Sequence, residues 1–185
     1  GQKAQQVHVI GAGLAGLSVI YNLMMSKQPF RIILHDQYEP GVGGASAAAS
    51  LMHMFTPSGK VIYKGEEGLE CSLRMIDFAT KNAGLNDNGD DMTELVKAIS
   101  VTRLCFTDKS YQSWNDGAEL HPEWIEQQEI DPAEFALDDQ VEKPIASFSI
   151  KKVYAVETTK YLQALWRAIQ KKAHMFNCEV EYSKA

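Results

Sequence analysis

Val7-His8-Val9-Ile10-Gly11-Ala12-Gly13-Leu14-Ala15-Gly16, followed by a helix-length segment and then by Arg31-Ile32-Ile33-Leu34-His35-Asp36, carries the signature of a strand–turn–helix–strand unit. Val7 to Ile10 is β-branched apart from His8 and short enough for a buried parallel strand. A GxGxxG pattern follows at once. Gly11 permits the sharp turn out of the strand, Gly13 lets a diphosphate approach the backbone, and Gly16 lets the next helix pack closely on the strand. That helix is expected from about Leu14 to Ser26. Its first amides, at Leu14 and Ala15, point at phosphates where the helix dipole favours negative charge. Pro29 stops any continuation, and Arg31 to Asp36 reads as the second strand. Asp36 ends it, roughly 20 residues past the glycines, where a carboxylate accepts hydrogen bonds from a ribose 2′-hydroxyl and repels a 2′-phosphate. Gln37 directly follows it at the same site. A glycine-rich turn in some other α/β protein, with Asp36 as a solvated strand end, is the competing reading, and this motif alone does not choose between FAD and NAD.

The second glycine loop bears on that choice. Glu39-Pro40-Gly41-Val42-Gly43-Gly44-Ala45-Ser46-Ala47-Ala48-Ala49-Ser50 is almost free of bulky side chains, which suits a backbone passing close to a flat ligand or its diphosphate. With this loop the chain resembles the flavoprotein superfamily of D-amino-acid oxidase, glycine oxidase and sarcosine oxidase. Within it, the branch holding the oxidase half of the bacterial tRNA-modifying enzyme MnmC and plant and algal FAD-dependent oxidoreductases is the most similar. The resemblance rests on Val9 to Ser18, on Leu34-His35-Asp36, on Pro40-Gly41-Val42-Gly43-Gly44-Ala45-Ser46 and on His53-Met54-Phe55-Thr56-Pro57-Ser58-Gly59-Lys60. It implies FAD as cofactor, held by Gly11, Gly13, Leu14, Ala15, Gly16, Asp36, Gln37, Gly43, Gly44, Ala45 and Ser46. Two departures stand beside it. Relatives commonly read Ser-Gly-Leu-Leu-His-Pro-Phe where this chain has Ser50-Leu51-Met52-His53-Met54-Phe55, and Ile20 stands where a small residue commonly lets the helix approach the strand.

Composition narrows the function classes. With 185 residues the chain can form one domain with a respectable core, or one and a fraction. A net charge of −6 gives no electrostatic footprint for nucleic acid or anionic membrane. The longest apolar stretch, Leu14 to Met25, is interrupted by Asn22 and is too short to span a bilayer. No secretory signal is visible at the N-terminus. Cys71, Cys105 and Cys178 are odd in number and widely spaced, which argues for a reducing intracellular compartment and against a structural zinc site. The five histidines show no HxxxH spacing, so no metal is expected. Plant and algal relatives point to a plastid.

Further along, Gly65-Glu66-Glu67-Gly68 opens a helix whose apolar face holds Leu69, Leu73, Ile76, Phe78 and Ala79. A loop is expected over 82–91, a short helix over Met92 to Ala98 and a strand over Ile99 to Thr107. Asp108 to Asp139 reads as polar and irregular, with Trp114 and Trp124 as apolar anchors. Ile145 to Val156 suggests strands on either side of Lys151 and Lys152. Thr158 or Thr159 is expected to cap a helix carrying Leu162, Leu165, Trp166, Ile169 and Ala173 in one stripe, and Phe176 to Tyr182 reads as the last strand. In the resembling flavoproteins that helix and strand return the chain to the FAD-binding part.

The expected fold is α/β, a Rossmann-like FAD-binding βαβ unit with part of an α+β substrate-domain sheet. The divisions are 1–82 for the FAD-binding segment and packing helix, 83–156 for a partial substrate or interaction region, and 157–185 for the return. Relatives continue past this point with an adenine contact, more substrate sheet and a glycine-containing segment over the flavin, so the resemblance reads the chain as an N-terminal half or a reduced relative. The reaction it implies is oxidation of an amine or amino acid by hydride transfer to the flavin, with hydrolysis of the resulting imine. His53 is the one catalytic candidate, as the residue near the loop that titrates close to neutral pH. A non-catalytic scaffold subunit in a larger assembly and a nicotinamide-binding domain are the alternatives.

Overall fold

In the computed structural model, which describes residues 3–44, 51–85, 89, 91–129 and 143–184, the first strand β1 (Gln5–Ile10) leads into helix α1 (Leu14–Met25) and strand β2 (Phe30–Asp36). After them come β3 (Leu51–Met52), α2 (Gly65–Asn82), β4 (Val96–Cys105), α3 (Asp108–Leu120), β5 (Ile125–Gln128), β6 (Ala146–Val156), α4 (Thr158–Lys172) and β7 (Cys178–Lys184). The chain divides into a first unit of residues 1–50, 70–97 and 156–185 and a second unit of 51–69 and 98–155.

The first unit carries a parallel sheet in the order β1-β2-β7, with Val9 opposite Leu34 and Leu34 opposite Tyr182. This is the parallel α/β arrangement that the sequence predicts. Alternation explains it: Val9, Phe30, Ile32, Leu34 and Cys178 are buried, while Gln6, His8, Arg31 and Glu181 stand on the other face. His8, the one polar residue in the first strand's apolar run, pairs its Nδ1 with Nε2 of His35 at 2.9 Å on that outer face. Helices α1 and α4 pack together, burying Leu17, Ile20, Tyr21 and Met24 from one and Leu162, Leu165, Trp166 and Ile169 from the other. Ile20 is fully buried in this contact, so the larger side chain is absorbed by the packing. Among the described residues, β1 is paired along one edge only.

The second unit is built on β6, which pairs antiparallel with β3 and with β5 and lies next to β4. Its core gathers Met54, Phe55, Cys105, Trp114, Ile125, Phe148, Ile150 and Val153.

Five sequence expectations are corrected here. The segment after Thr107, read as irregular, begins with α3. Tyr111, Trp114 and Ala118 face the core at spacings of three and four, and Thr107 caps the helix by accepting the Ser110 N–H at 3.2 Å. The apolar stripe is short, and the side-chain bonds Gln112 to Asp116 and Asn115 to Glu119, one turn apart, occupy the polar face that made the segment look unstructured. Residues 130–139 of that expectation lie outside the described residues. The short helix expected over Met92 to Ala98 is instead a turn, with Asp91 accepting from the N–H and hydroxyl of Thr93, and β4 already begins at Val96. Met92 and Leu95 are buried anchors, which is why their spacing imitates a helix. The strands expected on either side of the lysines form one strand, with Lys152 at a φ of 55° accommodating the break in alternation. Finally, the cap position of α4 is Glu157, with no side-chain cap bond, because its N–H is tied to the Leu95 carbonyl at 3.1 Å. The last strand also starts two residues late, after a 3-10 turn over Ala173–Phe176 and a left-handed Asn177.

Removing the Thr107 hydroxyl isolates the worth of the α3 cap. Thr107→Ala is expected to destabilise the protein by about 1 kcal/mol. Thermal unfolding of the variant beside Thr107→Ser, which keeps the acceptor oxygen, checks this: an equal loss in both would remove the cap from the account.

Candidate functional site

At the C-terminal end of β1 the chain turns sharply. Gly11 takes a φ of +97°, a conformation that side-chain-bearing residues rarely adopt, and its N–H donates to the His35 carbonyl at 2.8 Å. Gly13 is the cap residue of α1 with extended backbone and no side-chain cap bond, so no cap side chain covers the first turn at Leu14, Ala15 and Gly16. Gly16 is a packing glycine, since a Cβ there would lie 1.8 Å from the carbonyl oxygen of Gly11. The turn and the helix start are therefore pressed together, with Ala12 buried between them.

Asp36 closes the site from β2. Its Oδ2 accepts the Ala12 N–H at 2.5 Å and its Oδ1 accepts the Tyr38 N–H at 2.9 Å. The carboxyl is held below its ordinary range, first by the Ala12 N–H, then by that of Tyr38, with burial opposing and Gln37 adding a smaller contribution. It is thus ionised at neutral pH and physically linked to the glycine turn. Leu14 and Ala15, in the first turn of α1, and Gln37, beside Asp36, are exposed.

The second glycine loop is described as far as Gly44. Gly41, at a φ of +83°, lies against α4, and a Cβ there would meet the Thr159 carbonyl oxygen at 2.8 Å. Its small size serves packing, a role the sequence reading did not assign. Gly43 and Gly44 are exposed beyond it, and Ala45 and Ser46 lie outside the described residues.

His53 belongs to the second unit. Its Nδ1 accepts the Phe55 N–H at 3.2 Å, which leaves the proton of the neutral ring on Nε2. Burial, with Arg103 adding to it, lowers its pKa, so the ring is neutral at pH 7. The neighbouring block from Thr56 to Lys60 is a tight turn bonded to α3. Ser113 donates its hydroxyl to the Ser58 carbonyl at 2.6 Å, and a Cβ on Gly117 would come within 2.7 Å of the Gly59 carbonyl oxygen.

The structure brings together Gly11, Gly13, Leu14, Ala15, Gly16 and Asp36 in the first unit. Sequence reasoning missed three residues of that site: Ala12, whose amide holds the carboxylate, Tyr38, and Tyr182, which reaches the same turn from β7. No local signal marks Tyr182, because only the register of β7 on β2 brings it there. Among the described residues, no group of three or more His, Cys, Asp or Glu gathers to hold a metal ion, and no helix is long and apolar enough to cross a membrane.

Solved structures share this fold. Glycine oxidase from Geobacillus kaustophilus matches with a TM-score of 0.63 at 13% identity, over 97% of this chain and 47% of its own. L-amino acid deaminase from Proteus myxofaciens, in complex with anthranilate, matches at 0.62 and 14%, over 98% and 38%. L-alpha-glycerophosphate oxidase from Mycoplasma pneumoniae, with FAD bound, matches at 0.60 and 14%, over 98% and 45%. The chain spans less than half the length of each of these structures. No curated protein matches the sequence. The family model described as DAO, FAD dependent oxidoreductase, matches residues 6–182, nearly the whole length, so the chain belongs to the DAO family of FAD-dependent oxidoreductases.

Proposed function

We propose that these residues hold the adenosine diphosphate half of FAD in an oxidoreductase that oxidises an amine or an amino acid. The observation that carries the reading is the Asp36 carboxylate, ionised and bonded to the Ala12 N–H of the glycine turn. The donor set fits the cofactor. The amides of the first turn of α1 suit the diphosphate, and Gly13, the cap residue with no side chain, suits the close approach of a diphosphate to the backbone there. The Asp36 oxygens keep lone pairs for ribose hydroxyls beside the two backbone bonds they accept. When bound, the flavin supplies the redox chemistry by accepting a hydride from a carbon next to nitrogen. The chain's own part is to bind, orient and select: the Asp36 charge disfavours a 2′-phosphate on the ribose.

Glycine oxidase and L-amino acid deaminase among the neighbours favour a nitrogen-bearing substrate, whereas the glycerophosphate oxidase shares the same fold. The blocks Pro40 to Ser46 and His53 to Lys60 support a reading of the chain in the branch with the MnmC oxidase. The pairing of β1 along one edge only among the described residues, together with the 38–47% coverage of the neighbours, supports its being the N-terminal part of a longer oxidoreductase. The free cysteines Cys71, Cys105 and Cys178 suit a reducing compartment.

The test is an absorption spectrum of the protein from its native source, followed by anaerobic titration with small amines, amino acids and glycerophosphate. Flavin bands near stoichiometric with protein, bleached by a nitrogen-bearing substrate, are expected. Bleaching by glycerophosphate alone would overturn the amine assignment, and a colourless protein would leave a scaffold subunit with a flavoprotein fold.

A further inference from the structure

Asp36 is set in place by more than its own strand. Tyr182 lies on β7 opposite Leu34, two residues before Lys184, the register partner of Asp36. Its hydroxyl donates to the Tyr38 carbonyl at 2.8 Å and lies 3.3 Å from the Asp36 carbonyl oxygen. Its ring meets Trp166 of α4 edge to face, with centroids 6.3 Å apart, and Trp166 is itself buried in the helix packing. Tyr38 therefore carries two bonds of one chain of contacts: its carbonyl takes the Tyr182 hydroxyl, and its N–H goes to Oδ1 of Asp36. Oδ2 of the same carboxylate takes the Ala12 N–H. Rotation of the carboxylate would break bonds at both oxygens, and movement of the turn that follows it would break the bond to the phenol. Burial raises the pKa of Tyr182, with Glu39 and Asp36 adding to it, so the hydroxyl stays protonated and able to donate at neutral pH.

We propose that Tyr182 is a positioning residue for the ribose of the cofactor: by clamping the turn from Asp36 to Tyr38 it fixes the direction in which the Asp36 carboxylate faces the ribose hydroxyls. The proposal rests on the FAD reading above. It assigns Tyr182 no contact with the cofactor; the residue acts through Tyr38 and Asp36.

The experiment uses the full-length protein and the variant Tyr182→Phe, which keeps the ring on Trp166 and deletes only the donor. Affinities for FAD and for FMN, which lacks the adenosine half, are measured by fluorescence quenching in the wild type, Tyr182→Phe, Asp36→Asn and the double variant. Loss of one neutral hydrogen bond is expected to weaken FAD binding about 5-fold. FMN binding is expected to stay unchanged, and adding Tyr182→Phe to Asp36→Asn to cause no further loss, since the phenol acts through the carboxylate. Hydrogen exchange supplies a readout without cofactor: peptides covering residues 9–17 and 35–43 are expected to exchange faster in Tyr182→Phe. An equal loss for FMN, additive losses in the double variant, or unchanged exchange in both peptides would overturn the proposal. If the wild type binds no flavin, the functional reading falls, while the exchange comparison still decides whether the clamp exists.

Discussion

Gly16→Ala is expected to cost about 3 kcal/mol or more of stability, at the upper end of what overpacking does, and to abolish flavin retention with it. The added Cβ would lie 1.8 Å from the Gly11 carbonyl oxygen, 3.1 Å from its carbonyl carbon and 3.3 Å from Cγ1 of Val9. Two of those atoms are backbone in the turn that ends β1, so no rotamer change relieves the clash. Helix α1 must move off the strand, and the fully buried Leu17, the next residue, and Ile20, one turn further on, move with it. The companion variant Gly11→Ala meets no atom within 4 Å and suffers only from its φ of +97°, a strain of about 1–3 kcal/mol. Melting temperatures of the two variants side by side test the argument. A larger loss in Gly11→Ala than in Gly16→Ala would show that helix approach is not what the third glycine serves.

Asp36→Asn is expected to weaken FAD binding by about 10- to 100-fold, because a hydrogen bond to a charged group contributes about 1.5–3 kcal/mol and the amide cannot accept at both ends. Titration of apoprotein with FAD measures it, and an unchanged affinity would remove the ribose from the account of Asp36. The same substitution has a signature in pH. The folded protein holds this carboxyl below its ordinary pKa, chiefly through the Ala12 N–H. The stabilisation is therefore fully present above the unfolded-state value of about 4 and is lost as pH falls through the lowered folded value. The melting temperature of the wild type should exceed that of Asp36→Asn near neutrality, with the gap narrowing on acidification below about pH 4. A gap that stays constant across that range would place the carboxyl outside the bonds to Ala12 and Tyr38.

The two expectations follow from the part of the chain that was most legible. Strand, turn, helix and strand from Gln5 to Asp36 are specified by neighbours in sequence: β-branched runs, glycines at fixed offsets and a proline that ends the helix. The stripe of α4 was equally readable, because Leu162, Leu165 and Ile169 recur at the helical period and all end buried. Helix α3 was not. Its apolar face is Tyr111, Trp114 and Ala118 only, and Gly117 inside it looks like a breaker until the Gly59 carbonyl is found packed against it. A glycine retained for close approach of another segment cannot be told from a turn glycine by its local sequence. Gly41 repeats the lesson in the second loop, where the approaching atoms belong to α4, more than a hundred residues away in the chain.

What the sequence determined by itself is the dinucleotide-type βαβ unit, the choice of Asp36 as its acidic end and the resemblance to the DAO flavoproteins, since each depends on residue types at short, fixed spacing. How that acid is held depends on contacts between distant parts of the chain. The Ala12 amide reaches Asp36 across the gap between β1 and β2, and Tyr182 reaches Tyr38 because β7 pairs with β2 in one register. A parallel register is fixed by the packing of the whole sheet and its helices, so a hydrogen bond spanning 144 residues leaves no trace in the sequence around either partner.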